Sequence, residues 1–246
     1  MEYRGSSVYD QEDFQLKYMN RRSRKDSPNN AIEKPIIYEL IRDIQHKHIL
    51  DLGCGDAAFG KELLGQGADS YLGVEGSRLM AEKARLNLGK GNGAIHQITM
   101  ESYDYPAETF DIVTSRFAIH YVSDIQLLFR KIHKSLKEEG RFVFSVQHPL
   151  ITSSFKSKQT DNKRGDWIVD DYFHEGERKE PWIGETVVKF HRTIEHYFKA
   201  LVACGFSVAD LREGMPKRDY FSSDEEFTRR KRIPVVLVFS AEKSIN

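Results

Sequence analysis

Four residues early in the chain have the types and spacing to hold a ligand: Asp51, Gly53, Gly55 and Glu75. The apolar run Ile49-Leu50-Asp51-Leu52 stops at Gly53-Cys54-Gly55, and a helical pattern begins a few residues later. A buried strand, a turn that needs glycine and a helix starting at once make a cradle, because the first helical N–H groups have no partner inside the helix. Gly53-Cys54-Gly55-Asp56-Ala57-Ala58 also fits the dinucleotide fingerprint G-x-G-x-x-G/A, which points to a nicotinamide or a flavin. The charges argue against that reading. Asp51 and Asp56 bracket the turn, where carboxylates repel a pyrophosphate and favour a cationic ligand. Cys54 reads as a small loop residue whose backbone approaches the ligand, not as a nucleophile.

A second group has proton chemistry. Imidazole is suited to accept a proton near neutral pH, and His120, His148 and His191 are the candidates. His120 follows an expected strand at 110–115, and His148 follows one at 141–147. Both are therefore expected at the carboxyl edge of one sheet, where open α/β sheets bind ligands. His191 stands where a charged, aromatic stretch returns to a helix. A lone histidine at a strand end is often structural; two expected at one edge, with His191 at the lid's return into the helix, raise the expectation that at least one touches substrate.

The elements that must position these residues alternate. Residues 49–52, 71–75, 94–98, 110–115 and 141–147 read as strands, with 206–211 and 234–241 finishing the sheet. Asn30 reads as the cap of a first sheet-packed helix, with Glu33 three residues on and Ile36, Ile37, Leu40, Ile41 and Ile44 at helical spacing. Ser77, Asp124 and Thr193 read as caps of three further helices. From 150 to 192 the periodicity vanishes while Trp167, Tyr172, Phe173 and Trp182 are scattered among charges, the pattern of an ordered lid. The segment 212–232 reads as a second loop over the site, and its Arg229-Arg230-Lys231-Arg232 run as a solvated face.

The glycine loop, read as hydrophobic-hydrophobic-Asp51-x-Gly53-x-Gly55, resembles that of the class I S-adenosylmethionine-dependent methyltransferases, and Glu75 stands where that family presents an acid to the ribose hydroxyls. The resemblance covers nearly the whole chain. It implies a Rossmann-like, doubly wound α/β fold: a mostly parallel seven-stranded sheet with an antiparallel last strand and a lid insertion. It implies S-adenosyl-L-methionine as cofactor, bound by Asp51, Gly53, Cys54, Gly55, Glu75 and Gly76, with Arg116 beside them. Adenine is expected near the Met100 N–H and the Glu101 carboxylate. Asp104 rivals Glu101, because the loop departs from the family's D-x-x-x-L-P form. Residues 1–30, with Tyr3, Tyr9, Phe14 and Tyr18 and the basic run Arg21-Arg22-Ser23-Arg24-Lys25, would form an arm over the cofactor, making Tyr18 and Arg22 further candidates. The methyltransferase domain would then run over 31–246.

Further motifs, Ser115-x-x-Ala118-x-His120-Tyr121-Val122, Ser145-Val146-Gln147-His148-Pro149, Asp171-Tyr172-Phe173 and His191-Arg192-Thr193, resemble a bacterial branch of small-molecule, or type 11, methyltransferases. Tyr121, Trp167, Tyr172 and Trp182 are the expected acceptor contacts. No N-P-P-[YFW] motif follows the fourth strand, so a DNA amino-methylase is not expected. The competing readings are a tRNA-modifying methyltransferase using the two basic runs, and a protein that binds the cofactor without catalysis.

Composition sets the outer bounds. At 246 residues, one domain with an insertion is expected, and 37 basic residues balance 37 acidic ones, so no global field draws the chain to nucleic acid. Two distant cysteines form no disulfide framework, no apolar run is long enough for a membrane span, and the start has no signal core. A cytoplasmic protein acting on a small-molecule acceptor, with no metal, is the expectation.

Overall fold

The computed structural model describes residues 5–157 and 166–244. Tyr3 and part of the expected lid therefore lie outside the described residues. In chain order the elements are α1 (Glu12–Arg22), α2 (Lys34–Ile41), β1 (His48–Leu52), α3 (Ala58–Gly65), β2 (Ser70–Glu75), α4 (Arg78–Leu88), β3 (Gly93–Gln97) and β4 (Phe110–Arg116). Then follow α5 (Ile125–Ser135), β5 (Leu136–Gln147), α6 (Pro149–Thr152), β6 (Gly176–Trp182), β7 (Glu185–His191), α7 (Ile194–Ala203), β8 (Phe206–Arg212), α8 (Asp224–Lys231) and β9 (Val236–Lys243).

Seven strands form one sheet in the order β3-β2-β1-β4-β5-β9-β8. β9 runs antiparallel to both of its neighbours, β5 and β8, and the other six strands share one direction. The chain leaves β1 toward β2 on one side and returns to β4 on the other. β1 and β4 stay paired, and the connections that leave their carboxyl ends run to opposite sides, opening the crevice in which such sheets bind ligands.

Period-2 alternation divides the core between the two faces of the sheet. Leu50, Phe142, Phe144 and Phe239 face α5 and α7, where Phe144 stacks 4.7 Å from Phe142 and 5.3 Å from Phe239. Ile49, Val143 and Val238 face the other way, toward Ile37 and Ile41 of α2 and Leu63 of α3. These strands bury both faces, which is why they read as continuous apolar runs.

Ser77, Asp124 and Thr193 cap α4, α5 and α7 by accepting the N–H groups of Met80, Leu127 and His196. Asn30 is not the first cap. Ser27 is: its hydroxyl accepts the Asn30 N–H, and a wide turn over Pro28–Glu33 leads into α2. Asn30 instead ties down the end of α1, donating to the Arg22 and Arg24 carbonyls. The 212–232 stretch carries a helix, α8, where a loop is expected from sequence.

Residues 176–191 form the antiparallel β6–β7 hairpin, closed by Ile183 and Gly184, both at positive φ. The hairpin packs on the N-terminal arm. Val8 and Phe14 meet Ile183 and Val187, while Trp182 lies edge-on to Phe14 at 5.6 Å and Tyr18 at 5.7 Å. Arm and hairpin thus roof the carboxyl edge together. Among the described residues, no helix is long and apolar enough to cross a membrane, and no group of three His, Cys, Asp or Glu side chains could hold a metal ion.

Candidate active site

The turn after β1 needs glycine for two separate reasons. Gly53 and Gly55 have φ of 71° and 61°, and a Cβ on Gly53 would stand 2.4 Å from the Ala118 Cβ. The N–H groups of this turn do not point out free, as the sequence pattern suggests. Those of Gly53 and Cys54 bond the Val74 carbonyl at 2.8 and 3.2 Å, that of Gly55 bonds Glu75 Oε2 at 2.8 Å, and that of Ala58 bonds Asp56 Oδ1 at 3.3 Å. A pyrophosphate needs such donors, and here protein oxygens already occupy them.

What faces the cleft is carboxylate. Glu75 is buried and accepts two backbone N–H groups, Gly55 on Oε2 and Ser77 on Oε1, both at 2.8 Å. Burial raises its pKa to about 7, against the opposing pull of those two donors and of Arg22. Asp51 is also buried, accepting the Tyr71 hydroxyl at 2.7 Å and the Thr114 hydroxyl at 2.9 Å. Desolvation again raises its pKa. Arg22 of α1 reaches over Gly55 and bonds Asp56 Oδ1 at 3.3 Å. Burial works against its charge, but Tyr18, Asp56, Glu33 and Asp51 more than restore it.

All nine residues expected from sequence at the cofactor line one cleft of about 830 Å³. Gly76 lies under Ser6 of the arm, where a Cβ would come within 2.4 Å of the Ser6 hydroxyl. Met100 and Glu101 line the far wall, whereas the rival Asp104 does not. The Cys54 thiol is pushed up well above its ordinary value by burial and by the Glu75 and Asp51 charges, so it is not a ready nucleophile. Arg116 lines the wall with its guanidinium already committed. Glu33 grips it through both carboxylate oxygens, with Nε 3.0 Å from each, and it lies 4.7 Å over the Phe59 ring. Sequence reading missed Glu33, assigning it to a helix start, because its partner is 83 residues away.

A second cavity of about 1710 Å³ adjoins the first, and Tyr9, Tyr18, Arg22, Phe117 and Tyr121 line both. Of the expected acceptor contacts, Tyr121, Trp167 and Trp182 line it. Tyr172 does not: its carbonyl accepts the His191 Nε2–H at 2.8 Å. The histidines separate in the same way. His120 lines the second cavity, is buried, and has an Nδ1 without a hydrogen-bond partner among the described residues. His148 turns away to Glu213 at 3.0 Å, with Nδ1 accepting the Leu150 N–H at the start of α6. His191 is held between Tyr172 and the Thr152 hydroxyl, the latter at 2.8 Å. The expectation that His120 and His148 share the ligand side fails at the side-chain level, because the caps and loops below β5 claim both His148 nitrogens.

Burial holds His120 well below its ordinary pKa, and the nearby Lys189 and Arg192 charges add to this. The ring is therefore neutral and a weaker base than a free imidazole, with its unpartnered Nδ1 open to a hydrogen bond from an acceptor. Lys189 is itself fully buried, paired with Glu180, 3.1 Å from Gln147 Oε1, and 4.8 Å over the Trp182 ring. Arg229 and Arg230 of α8 also line this cavity and share Glu226, at 2.6 and 2.8 Å. That corrects the solvated-face reading for these two residues, whereas Lys231 and Arg232 are exposed as that reading expects.

The donor set of the first cleft suits a nucleoside that carries positive charge and no phosphate: inward carboxylates, two guanidiniums that are each already paired with a carboxylate, and glycines where a Cβ would fill the cradle. The comparisons with known proteins agree. A family model described as a methyltransferase domain matches residues 50–144. An S-adenosylmethionine-dependent methyltransferase from Mesorhizobium loti is 30% identical, with a TM-score of 0.79 over 87% of this chain and 99% of that one. An uncharacterized protein of Haemophilus influenzae is 29% identical over 96% of this chain and 97% of its own length. The malonyl-[acyl-carrier protein] O-methyltransferase of Legionella pneumophila is 29% identical over 52% of this chain and 47% of its own length. With the doubly wound sheet, the acid-lined glycine cradle and these relatives in agreement, the chain belongs to the class I S-adenosylmethionine-dependent methyltransferases and is an enzyme that uses S-adenosylmethionine.

Proposed function

We propose that the enzyme methylates an O, N or C nucleophile of a small molecule seated in the second cavity, with His120 accepting a proton. The observation that carries this reading is the shared wall. Tyr18, Phe117 and Tyr121 border both cavities, so a donor in one and an acceptor in the other meet across a short, aromatic partition. When bound, S-adenosylmethionine supplies an activated methyl on a sulfonium leaving group.

The protein's part is to position, exclude water and manage one proton. Glu75 accepts the ribose hydroxyls on the lone pairs its backbone donors leave open. Arg22, held by Asp56, would pair with the carboxylate of the amino-acid end, while Asp51 would keep the cleft favourable to its ammonium and sulfonium. Met100 and Glu101 border the adenine. Arm and hairpin close over both cavities, and the Tyr9 and Tyr121 hydroxyls meet at 3.2 Å on the roof. Neutral His120 accepts the acceptor's proton as the nucleophile loses it.

Titration calorimetry tests the cofactor assignment. S-adenosylmethionine and S-adenosylhomocysteine should bind and a nicotinamide dinucleotide should not; the opposite ranking rejects it. A metabolite screen for S-adenosylhomocysteine release then tests the acceptor class, and turnover only with macromolecular fractions overturns the small-molecule reading.

A further inference from the structure

The two basic runs, about 200 residues apart in sequence, come together. Arg21 and Arg24 from the end of α1 line the same cavity as Arg229 and Arg230 of α8. With Arg22 and Lys189 they make six cationic side chains on that lining, against Asp26, Glu180, Glu225 and Glu226. The charge is also graded. At the buried end Lys189 is neutralised by Glu180, and His120 is neutral. At the mouth two guanidiniums share the single Glu226 carboxylate, Arg24 has only Asp26 at 3.4 Å, and Arg21 makes no ion pair among the described residues.

Resting on the assignment of this cavity to the acceptor, we propose that the acceptor is a planar molecule bearing one anionic group, a carboxylate or a phosphate ester, held at the mouth by Arg21, Arg24 and Arg230. Its planar body lies between Tyr121, Trp167 and Trp182, and the atom to be methylated is at the His120 end. Guanidinium forks match such oxyanions, and the aromatic walls match a flat apolar body. Crowding of like charge is visible at the mouth: burial and the neighbouring Arg229 and Arg24 charges bring Arg230 down to about 10, with Glu226 pulling the other way. An incoming anion relieves that repulsion.

A nucleic acid fits these observations less well. Arg229 and Arg230 face a roofed cavity, and the rest of their run is turned elsewhere, with Lys231 over the Phe227 ring and Arg232 on Asp166. A polyanion needs an open basic track, and the chain has no surplus of positive charge to supply a wide one.

The test is calorimetry on protein saturated with S-adenosylhomocysteine, using 4-hydroxybenzoate, phenyl phosphate and the neutral 4-hydroxybenzamide as probes. At least one anionic probe should bind tenfold or more tightly than the amide, and the better of the two identifies the oxyanion. Arg21→Gln and Arg230→Gln should each weaken that probe several-fold while leaving S-adenosylhomocysteine affinity unchanged. Arg21 is exposed, so its variant keeps the test valid if loss of Arg230 disturbs α8. Anionic probes no tighter than the amide, or unaffected by both substitutions, overturn the proposal. So does a short single-stranded RNA that binds in a salt-dependent way and is lost in both variants. Failure of S-adenosylhomocysteine to bind at all is a different result, since it rejects the reading of the first cleft before any probe is added.

Discussion

Glu75 carries two opposed demands: burial favours its proton, and the Gly55 and Ser77 N–H groups favour its charge. With the free group titrating at about 7, ribose hydroxyls that donate to the carboxylate stabilise the ionised form and expel the remaining proton. Affinity for S-adenosylhomocysteine should therefore rise with pH through the region below about 7 and level off above it. Calorimetry in buffers of different ionisation enthalpy should record proton release, and Glu75→Gln should abolish it; a pH-independent affinity in the wild type counts against the ribose role. His120 and its two companions part at this scale as well. His120→Ala should lower kcat by about 10²–10⁴, the usual worth of a positioned base, with cofactor affinity unchanged. His148→Ala and His191→Ala should act through thermal stability instead: the first removes the cap of α6 and leaves a cavity, and the second leaves the buried Thr152 hydroxyl unsatisfied at about 1–3 kcal/mol. Equal kinetic loss in all three variants would sink the distinction.

The strongest tie between elements is the pair of Glu33, entering α2, with Arg116, ending β4. Glu33 also accepts the Ser145 hydroxyl of β5 at 2.8 Å, and that hydroxyl in turn accepts the Phe117 N–H at 3.0 Å. The wall between the two cavities is thus braced from three elements. Glu33→Ala leaves a buried guanidinium uncompensated and should cost about 3–5 kcal/mol in urea unfolding, whereas a surface pair of the same chemistry is worth under about 1. A loss below 1 kcal/mol would mean that water replaces the carboxylate. The β6–β7 hairpin shows why some elements were illegible in sequence. Its two-residue turn places Ile183 at φ 54°, a conformation that favours Asn or Gly, so Ile183-Gly184 carries no ordinary turn signal. The side chain is kept there by burial against Val8 and Phe14, at the opposite end of the chain. α8 was hidden differently: its charged face folds inward over a cavity, and charge at helical spacing does not say which side is solvent.

Across the whole molecule, acid stability should follow from buried imidazoles. Burial lowers the pKa values of His120, His133, His148 and His191 in the fold. Below about 6.5 the unfolded chain binds protons on these residues more readily than the folded chain, so their contribution is complete above that pH and fades as pH falls. Glu75, raised to about 7 from 4.5, runs the other way, favouring the fold at lower pH and losing that contribution as pH rises through 7. Burial-raised Asp51 adds to its side. The four imidazoles should prevail between about pH 6.5 and 5, giving a lower melting temperature at pH 5 than at pH 7; a midpoint that holds or rises would show the carboxyls dominating.

The amino-acid sequence by itself determined the alternating strands and helices, three of the helix caps, the glycine cradle and the carboxylates around it. Each is a local matter: apolar period, a side chain reaching three residues ahead, or a turn that only glycine relieves. Tertiary structure alone decided the second cavity. It separated His120 from His148 and His191, paired Glu33 with Arg116, and brought two distant arginine runs to one mouth. Those outcomes depend on which groups are buried together, and burial sets both the worth of a charge and the partner it must find.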